Sequence, residues 1–514
     1  MNDKAAMQAV QWWMYGRGFR AGYALVVAMF GIFSNVAFAF DIFRTQADVS
    51  ETSATSSLTA ARGVMPCRFG TSDLSASSRL HLDEAIDRAL CNNPKTREAW
   101  ANVKVEAANV GAANAAYLPS VTANWQRIKD NSVTDITGHP ALSSAYRSTV
   151  GAESVSLNWV LYDFGGRRAA LASARALLTA ARANQDSQLE AVFEKTATDY
   201  YAAQAAVGKQ ATAVESERAA RDSFDVAQTR VNRGIAAISD QLQAQTSYAQ
   251  ATFNRVKAES DLAVALGTLA TDMGIRPDQQ LILPDVEDGM QPDTEFNESV
   301  AALIDDVERQ HPSVRAARAQ RDAALEKVKQ VRSQGLPNLN FVAKYSRNNQ
   351  PVSLGLGEPQ FPATGHDWYF GIQVQIPLFE GFGRSYQISA AKAQAEAQQY
   401  ALDEAVQKVG LDVWTTYQTL IANGRNVGNT VSILDVAQRS FDAALKRYRV
   451  GVGSIVELLN AQSALADARK QRVQALTDWR AARLQLAARM GRLDSRDTVF
   501  ETNGLSGGDE ESRP

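Results

Sequence analysis

The chain has 514 residues, of which 45% are hydrophobic and 21% charged, and its formal net charge is −3, from 53 basic and 56 acidic side chains. This balance is too polar for a bundle of membrane helices, too apolar for a disordered chain, and lacks the basic excess that grips a nucleic-acid backbone. Four histidines and two cysteines leave little material for metal chemistry.

Residues 1–39 read as a secretory signal. Arg17 and Arg20 form the positive flank, Ala21 to Phe33 is apolar, and Ala37-Phe38-Ala39 is a small-residue cleavage site. The apolar run is shorter than the ~18–20 residues that span a bilayer, so cleavage is expected rather than a membrane anchor. Residues 40–79 make an N-terminal extension. Cys67 and Cys91 could pair in an oxidising compartment or remain free thiols.

From residue 80 the chain is one unit written twice. Asn93-Pro94 matches His311-Pro312 and Leu118-Pro119 matches Leu336-Pro337, both at an offset of 218. At 217, Leu161–Arg167 matches Leu378–Arg384, Arg230 matches Arg447, Gly234 matches Gly451, and Met273-Gly274 matches Met490-Gly491. The first repeat is expected over 80–276, the second over 295–492, with a linker at 277–294 and a disordered polar tail at 493–514.

Each repeat opens with a helix, Leu82–Tyr117 or Phe296–Gln334, stopped by a Leu-Pro step. A β-hairpin follows, at about 120–162 and about 338–378. Val121, Ala123 and Trp125 alternate with polar residues, as do Val155, Leu157, Trp159 and Leu161. So do Leu339, Phe341, Ala343 and Tyr345, and then Trp368, Phe370, Ile372, Val374 and Ile376. Segments of ~10 residues with this dyad repeat suit a transmembrane barrel, with Trp125, Trp159, Tyr345 and Trp368 in its aromatic girdle. A soluble hairpin over a protein core would show the same alternation. Four strands cannot enclose a water-filled pore, since even eight make a barrel filled by side chains. Three chains giving twelve strands is the simplest closure.

The hairpins lead into proline-free helices, Arg167–Val231 and Arg384–Val450, each ~100 Å long at 1.5 Å per residue. Glycine turns at Gly234 and at Gly451 and Gly453 lead to shorter helices, Ile235–Asp272 and Val452–Arg489. None is apolar all round, so they are expected to pack sideways as coiled coils.

With the doubled layout, the Leu-Pro steps, the strand-to-helix motif Ile376-Pro377-Leu378-Phe379-Glu380-Gly381 and the turn segment Tyr448–Asn460, the chain resembles the TolC family of outer-membrane channel proteins over about 80–493. The resemblance implies an α+β fold: an outer-membrane β-barrel shared by a homotrimer, continuing into a long periplasmic α-helical coiled-coil barrel, with two internal repeats per chain. It further implies the exit duct of a tripartite export system in a Gram-negative cell. The partners would be an inner-membrane transporter, ABC type favoured, a periplasmic adaptor and outer-membrane lipid. The cargo would be a protein (type I secretion, as of adenylate cyclase toxin) or small molecules (efflux). By the family pattern, the periplasmic entrance falls on Asp240, Tyr448, Glu457 and Asn460. Gly453 stands where an arginine is often found, which weakens the expected lock; Tyr448 could instead bond Asp240. Three copies of Glu457 around a narrow aperture would favour cations and raise one another's pKa.

No nucleophile elbow, zinc helix, Walker loop or paired C-x-x-C occurs, and Gly451-Val452-Gly453 follows no strand, so no enzyme, cofactor or metal site is expected. His81 and His311, near helix starts, and His139 and His366, in loops, read as solvent-facing. The alternative function is a periplasmic coiled-coil adaptor or scaffold. A single long helical hairpin would favour it, whereas two hairpins coupled to amphipathic strands favour the duct.

Overall fold

The computed structural model describes residues 79–286, 299–353 and 360–490, with Phe43 and Gly355. Apart from Phe43 these lie in one compact unit, Thr45–Pro514. The expected signal, nearly all of the N-terminal extension, and the tail lie outside the described residues, as does Cys67. Cys91 is disulfide-bonded.

The first repeat runs α1 (Leu82–Asn92), α2 (Pro94–Ala115), β1 (Ser120–Thr134), β2 (Ser144–Tyr162), α3 (Gly166–Asn232) and α4 (Ile238–Asp272). The second runs α5 (Val300–Gln310), α6 (Pro312–Ser333), β3 (Asn338–Asn348), a short ribbon of β4 (Val352–Ser353) and β5 (Gln360–Phe361), β6 (Gly365–Gln375), α7 (Gly383–Arg449) and α8 (Ile455–Arg489). The two long helices have 67 residues each and the two closing helices 35 each. The helices before the strands start 218 residues apart and those after them 217, so the repeats differ by one residue across the hairpin.

Where the spacing predicts one opening helix per repeat, there are two. Asn93 (φ −63°, ψ 129°) and His311 (φ −57°, ψ 136°) are extended because each precedes a proline, which disfavours the helical region. The Asn93 side chain then joins two helices. Its Oδ1 accepts from the Lys95 N–H (2.9 Å) to cap α2, while its Nδ2 donates to the last carbonyl of α4, at Asp272 (3.0 Å). Gly274, at φ +70°, lies so close beneath α1 that a Cβ would sit 2.7 Å from the Asn92 carbonyl oxygen. The end of α4 therefore docks on the start of α2, and the pair runs beside α3. The core around this joint joins α1, the middle of α3 (Leu189 to Ala203) and the end of α4. A second core does the same with α5, α7 and α8. His311 is buried there, contrary to the solvent-facing expectation, because it occupies the Asn93 position. His366 lies in β6 and not in a loop.

The strands form one antiparallel sheet in the order β1-β2-β3-β6. Directly opposed residues share a face. One face carries the rows Val121/Leu157/Ala343/Phe370 and Ala123/Val155/Tyr345/Trp368; the other carries Thr122/Ser156/Lys344/Tyr369 and Asn124/Ser154/Ser346/Asp367. A bulge at Leu161 sets Tyr162 opposite Leu339, so Tyr162 takes the place on the apolar face expected for Leu161. That face is open: Trp125 and Trp368 are each 66% exposed and Phe370 67%. At its foot Tyr162, Phe164, Phe379, Phe382 and Tyr386 form a second exposed aromatic tier. Phe379 lies eleven positions from Trp368. At ~3.3 Å per residue and a tilt of ~40°, that separation is close to the ~25 Å apolar band of an outer-membrane barrel. No helix of the described residues is long and apolar enough to cross a membrane.

Candidate functional site: the helical tip

At the end farthest from the sheet, α3 turns into α4 and α7 into α8. Both turns are Schellman closures: Gly234 and Gly451 are left-handed (φ +73° and +86°), and the next amides, Ile235 and Val452, reach back to the carbonyls of Arg230 and Arg447 (3.0 and 3.1 Å). The two hairpins share a small core of Ala227, Ala244, Ala444, Tyr448, Ile455, Leu458 and Ala461. Alanines at the crossings bring the four helices close enough for one tyrosine to fill the centre.

Tyr448 is that residue, 1% exposed. Among the described residues its hydroxyl has no hydrogen-bond partner, so the bond to Asp240 anticipated from the sequence is not made. Burial pushes the phenol pKa up, opposed by Arg230 and reinforced by Asp240, which acts only through its field. Asp240 is half-buried in the first turn of α4, where a carboxylate suits the helix dipole.

Glu457 is the third residue of α8, three positions after the N-cap Ser454. The Ser454 hydroxyl accepts from the Glu457 N–H (3.1 Å), and the Glu457 carboxylate pairs with Arg447 at 2.8 Å across the turn. Both side chains are largely exposed, so this pair is worth at most about 1 kcal/mol. Asn460 is exposed one turn further along α8. Gly453 is packed against α7: a Cβ there would meet Arg447 Cβ and the Tyr448 nitrogen at 3.1 Å. A larger residue could enter only if the turn shifted.

The residue that sequence spacing leaves out is Arg230. Its Nη1 donates to the Tyr448 carbonyl, and its guanidinium carbon stands 4.6 Å from the centre of the Tyr448 ring. An arginine from the first hairpin thus caps the long helix of the second, at the negative end of that helix's dipole. Its repeat counterpart Arg447 turns instead to Glu457 in its own hairpin.

Among the described residues no group of His, Cys, Asp and Glu is arranged to hold a metal. The chemistry at the tip is that of charge and hydrogen bonding around helix ends, which suits an ion-filtering aperture or a docking point.

The family described as outer membrane efflux protein matches residues 85–274 and 303–492, one match per repeat. Protein CyaE of Bordetella pertussis is 32% identical over 423 residues, covering 82% of this chain and 85% of that protein. The outer membrane protein TolC of Escherichia coli is 23% identical over 440 residues, covering 84% and 86%. Among solved structures, the outer-membrane channel OprN superposes with a TM-score of 0.67 at 18% identity, covering 80% of this chain and 89% of that one. The outer membrane protein VceC of Vibrio cholerae gives the same score and identity, covering 80% and 96%. The chain belongs to the outer membrane efflux protein family, as an outer-membrane channel that extends into the periplasm and serves an export system as its exit duct.

Proposed function

We propose that three copies of the chain close a twelve-stranded barrel and that their helices continue it as a periplasmic tunnel. The duct catalyses no reaction; an inner-membrane transporter and a periplasmic adaptor supply the energy and the cargo, protein or small molecule. The observation that carries this reading is the sheet itself. It has an exposed apolar face, a polar face, and two long edges, at β1 and β6, with no partner among the described residues. Such edges pair or aggregate unless a neighbour covers them, and β6 of one copy against β1 of the next covers every edge at once. A coiled-coil adaptor would have no use for such a sheet.

In this assembly the tips converge and Asp240, Glu457 and Asn460 are the entrance residues. Because the Glu457 carboxylate is held, among the described residues, by one exposed ion pair, it is available to passing ions, and Glu457→Gln should lower the cation preference of single channels in planar bilayers. Unchanged selectivity would remove Glu457 from the aperture and leave the barrel reading intact.

A further inference from the structure

The two repeats solve the same problem with different chemistry, and the difference is titratable. At each break the residue before proline must cap the following helix. In the first repeat the cap is the Asn93 amide, which does not change charge. In the second it is the His311 imidazole, whose Nδ1 accepts from the Ser313 N–H at 3.2 Å. An imidazole accepts only while that nitrogen keeps its lone pair; the imidazolium has two donors and no acceptor. Protonation therefore removes the cap of α6, whereas the cap of α2 is indifferent to pH.

The carboxyl that faces His311 is itself held neutral. The His311 Nε2 faces Glu190 Oε2 of α3 at 3.8 Å, and both side chains are largely buried. Burial and then Asp186 raise the Glu190 carboxyl to about 8, against Arg315 of α6 and Arg489 of α8, so it is neutral at neutral pH. Arg489 pairs with two further acids, Glu194 at 3.0 Å and Asp412 of α7 at 3.6 Å, and Arg315 with Asp186 at 3.5 Å. Glu404 and Lys408 of α7 complete the charged lining of the same cleft, which has a volume of about 420 Å³. Burial first, and then Arg489, lower the His311 pKa, while Asp412 raises it.

We propose that His311 makes the second-repeat joint a proton-sensitive hinge, capped while the imidazole is neutral and loosened when it binds a proton, with the Asn93 joint as a fixed counterpart. Because folding depresses the His311 pKa, the unfolded chain binds the proton more readily. The cap's contribution is therefore present above the ordinary imidazole range and declines as pH falls below it.

The test is residue-resolved amide hydrogen exchange on the full-length protein in detergent, at about pH 7.5 and about pH 5, corrected for the intrinsic pH dependence of exchange. Protection of the Ser313 amide should fall about fivefold on acidification, equivalent to a cap worth about 1 kcal/mol. The Lys95 amide, capped by Asn93, should keep its protection. His311→Asn, which places the first-repeat cap in the second, should make Ser313 behave like Lys95. Equal protection of Ser313 at both pH values in the native sequence, or the same fall in the His311→Asn variant, would overturn the proposal.

Discussion

Arg230 and Arg447 stand 217 residues apart at equivalent positions, yet one binds the neighbouring hairpin and the other its own. A charge-assisted hydrogen bond of this kind contributes about 1.5–3 kcal/mol, so Arg230→Met should destabilise the tip by that amount, read as lost amide protection over Tyr448–Val452. Retained protection would show that the shared apolar core alone joins the hairpins. The sequence marks Arg230 only as a repeat match, because the partner that gives it a role lies 218 residues away. Glycine turns are legible because a left-handed residue just past a helix end favours glycine; a cross-hairpin cap leaves no local signal. Glu190 is equally silent in the sequence. Its folded pKa, about 8, lies above its unfolded value, so its contribution is full at acid pH and lost as pH rises through 8. Denaturation of Glu190→Gln should match the native protein near pH 4 and exceed it near pH 9 by on the order of 2 kcal/mol. Parallel curves would contradict the buried neutral carboxyl.

The helices were legible in kind and less so in extent. Freedom from proline and abundant alanine predict the long helices α3 and α7, and the alternation of apolar residues predicts all four main strands. The breaks at Asn93 and His311 are written in the sequence as X-Pro steps, but helical periodicity on both sides masks them. What makes a break useful is the close approach of another helix end, which is tertiary information. Gly274 tests that approach. Gly274→Ala would put a methyl 2.7 Å from the Asn92 oxygen in a left-handed backbone, at a cost of about 2–4 kcal/mol in urea unfolding. A change of a few tenths would mean that α4 does not dock on the α1–α2 break. The strand-to-helix junctions show the opposite case, where the sequence differs and the geometry is kept. Phe164-Gly165 and Gly381-Phe382 exchange their residues, yet all four positions are left-handed.

For the whole molecule, the duplicated layout and the paired amphipathic strands carried the architecture, because register ties every apolar residue of a strand to one face. The apolar rows run unbroken across both repeats, from β1 to β6. What one chain cannot display is closure, since a four-stranded sheet with free edges is a quarter or a third of a barrel depending on the number of copies. The exposed Trp125, Trp368 and Phe370, the second aromatic tier and the edges left unpaired among the described residues are the surfaces that lipid and neighbouring copies would cover in the proposed barrel. The shared barrel can be tested by the native mass of the protein extracted in detergent from purified outer membranes. A species of three chains is the predicted result; a protein found only in the soluble periplasmic fraction, or a single chain in the membrane extract, would contradict the shared barrel.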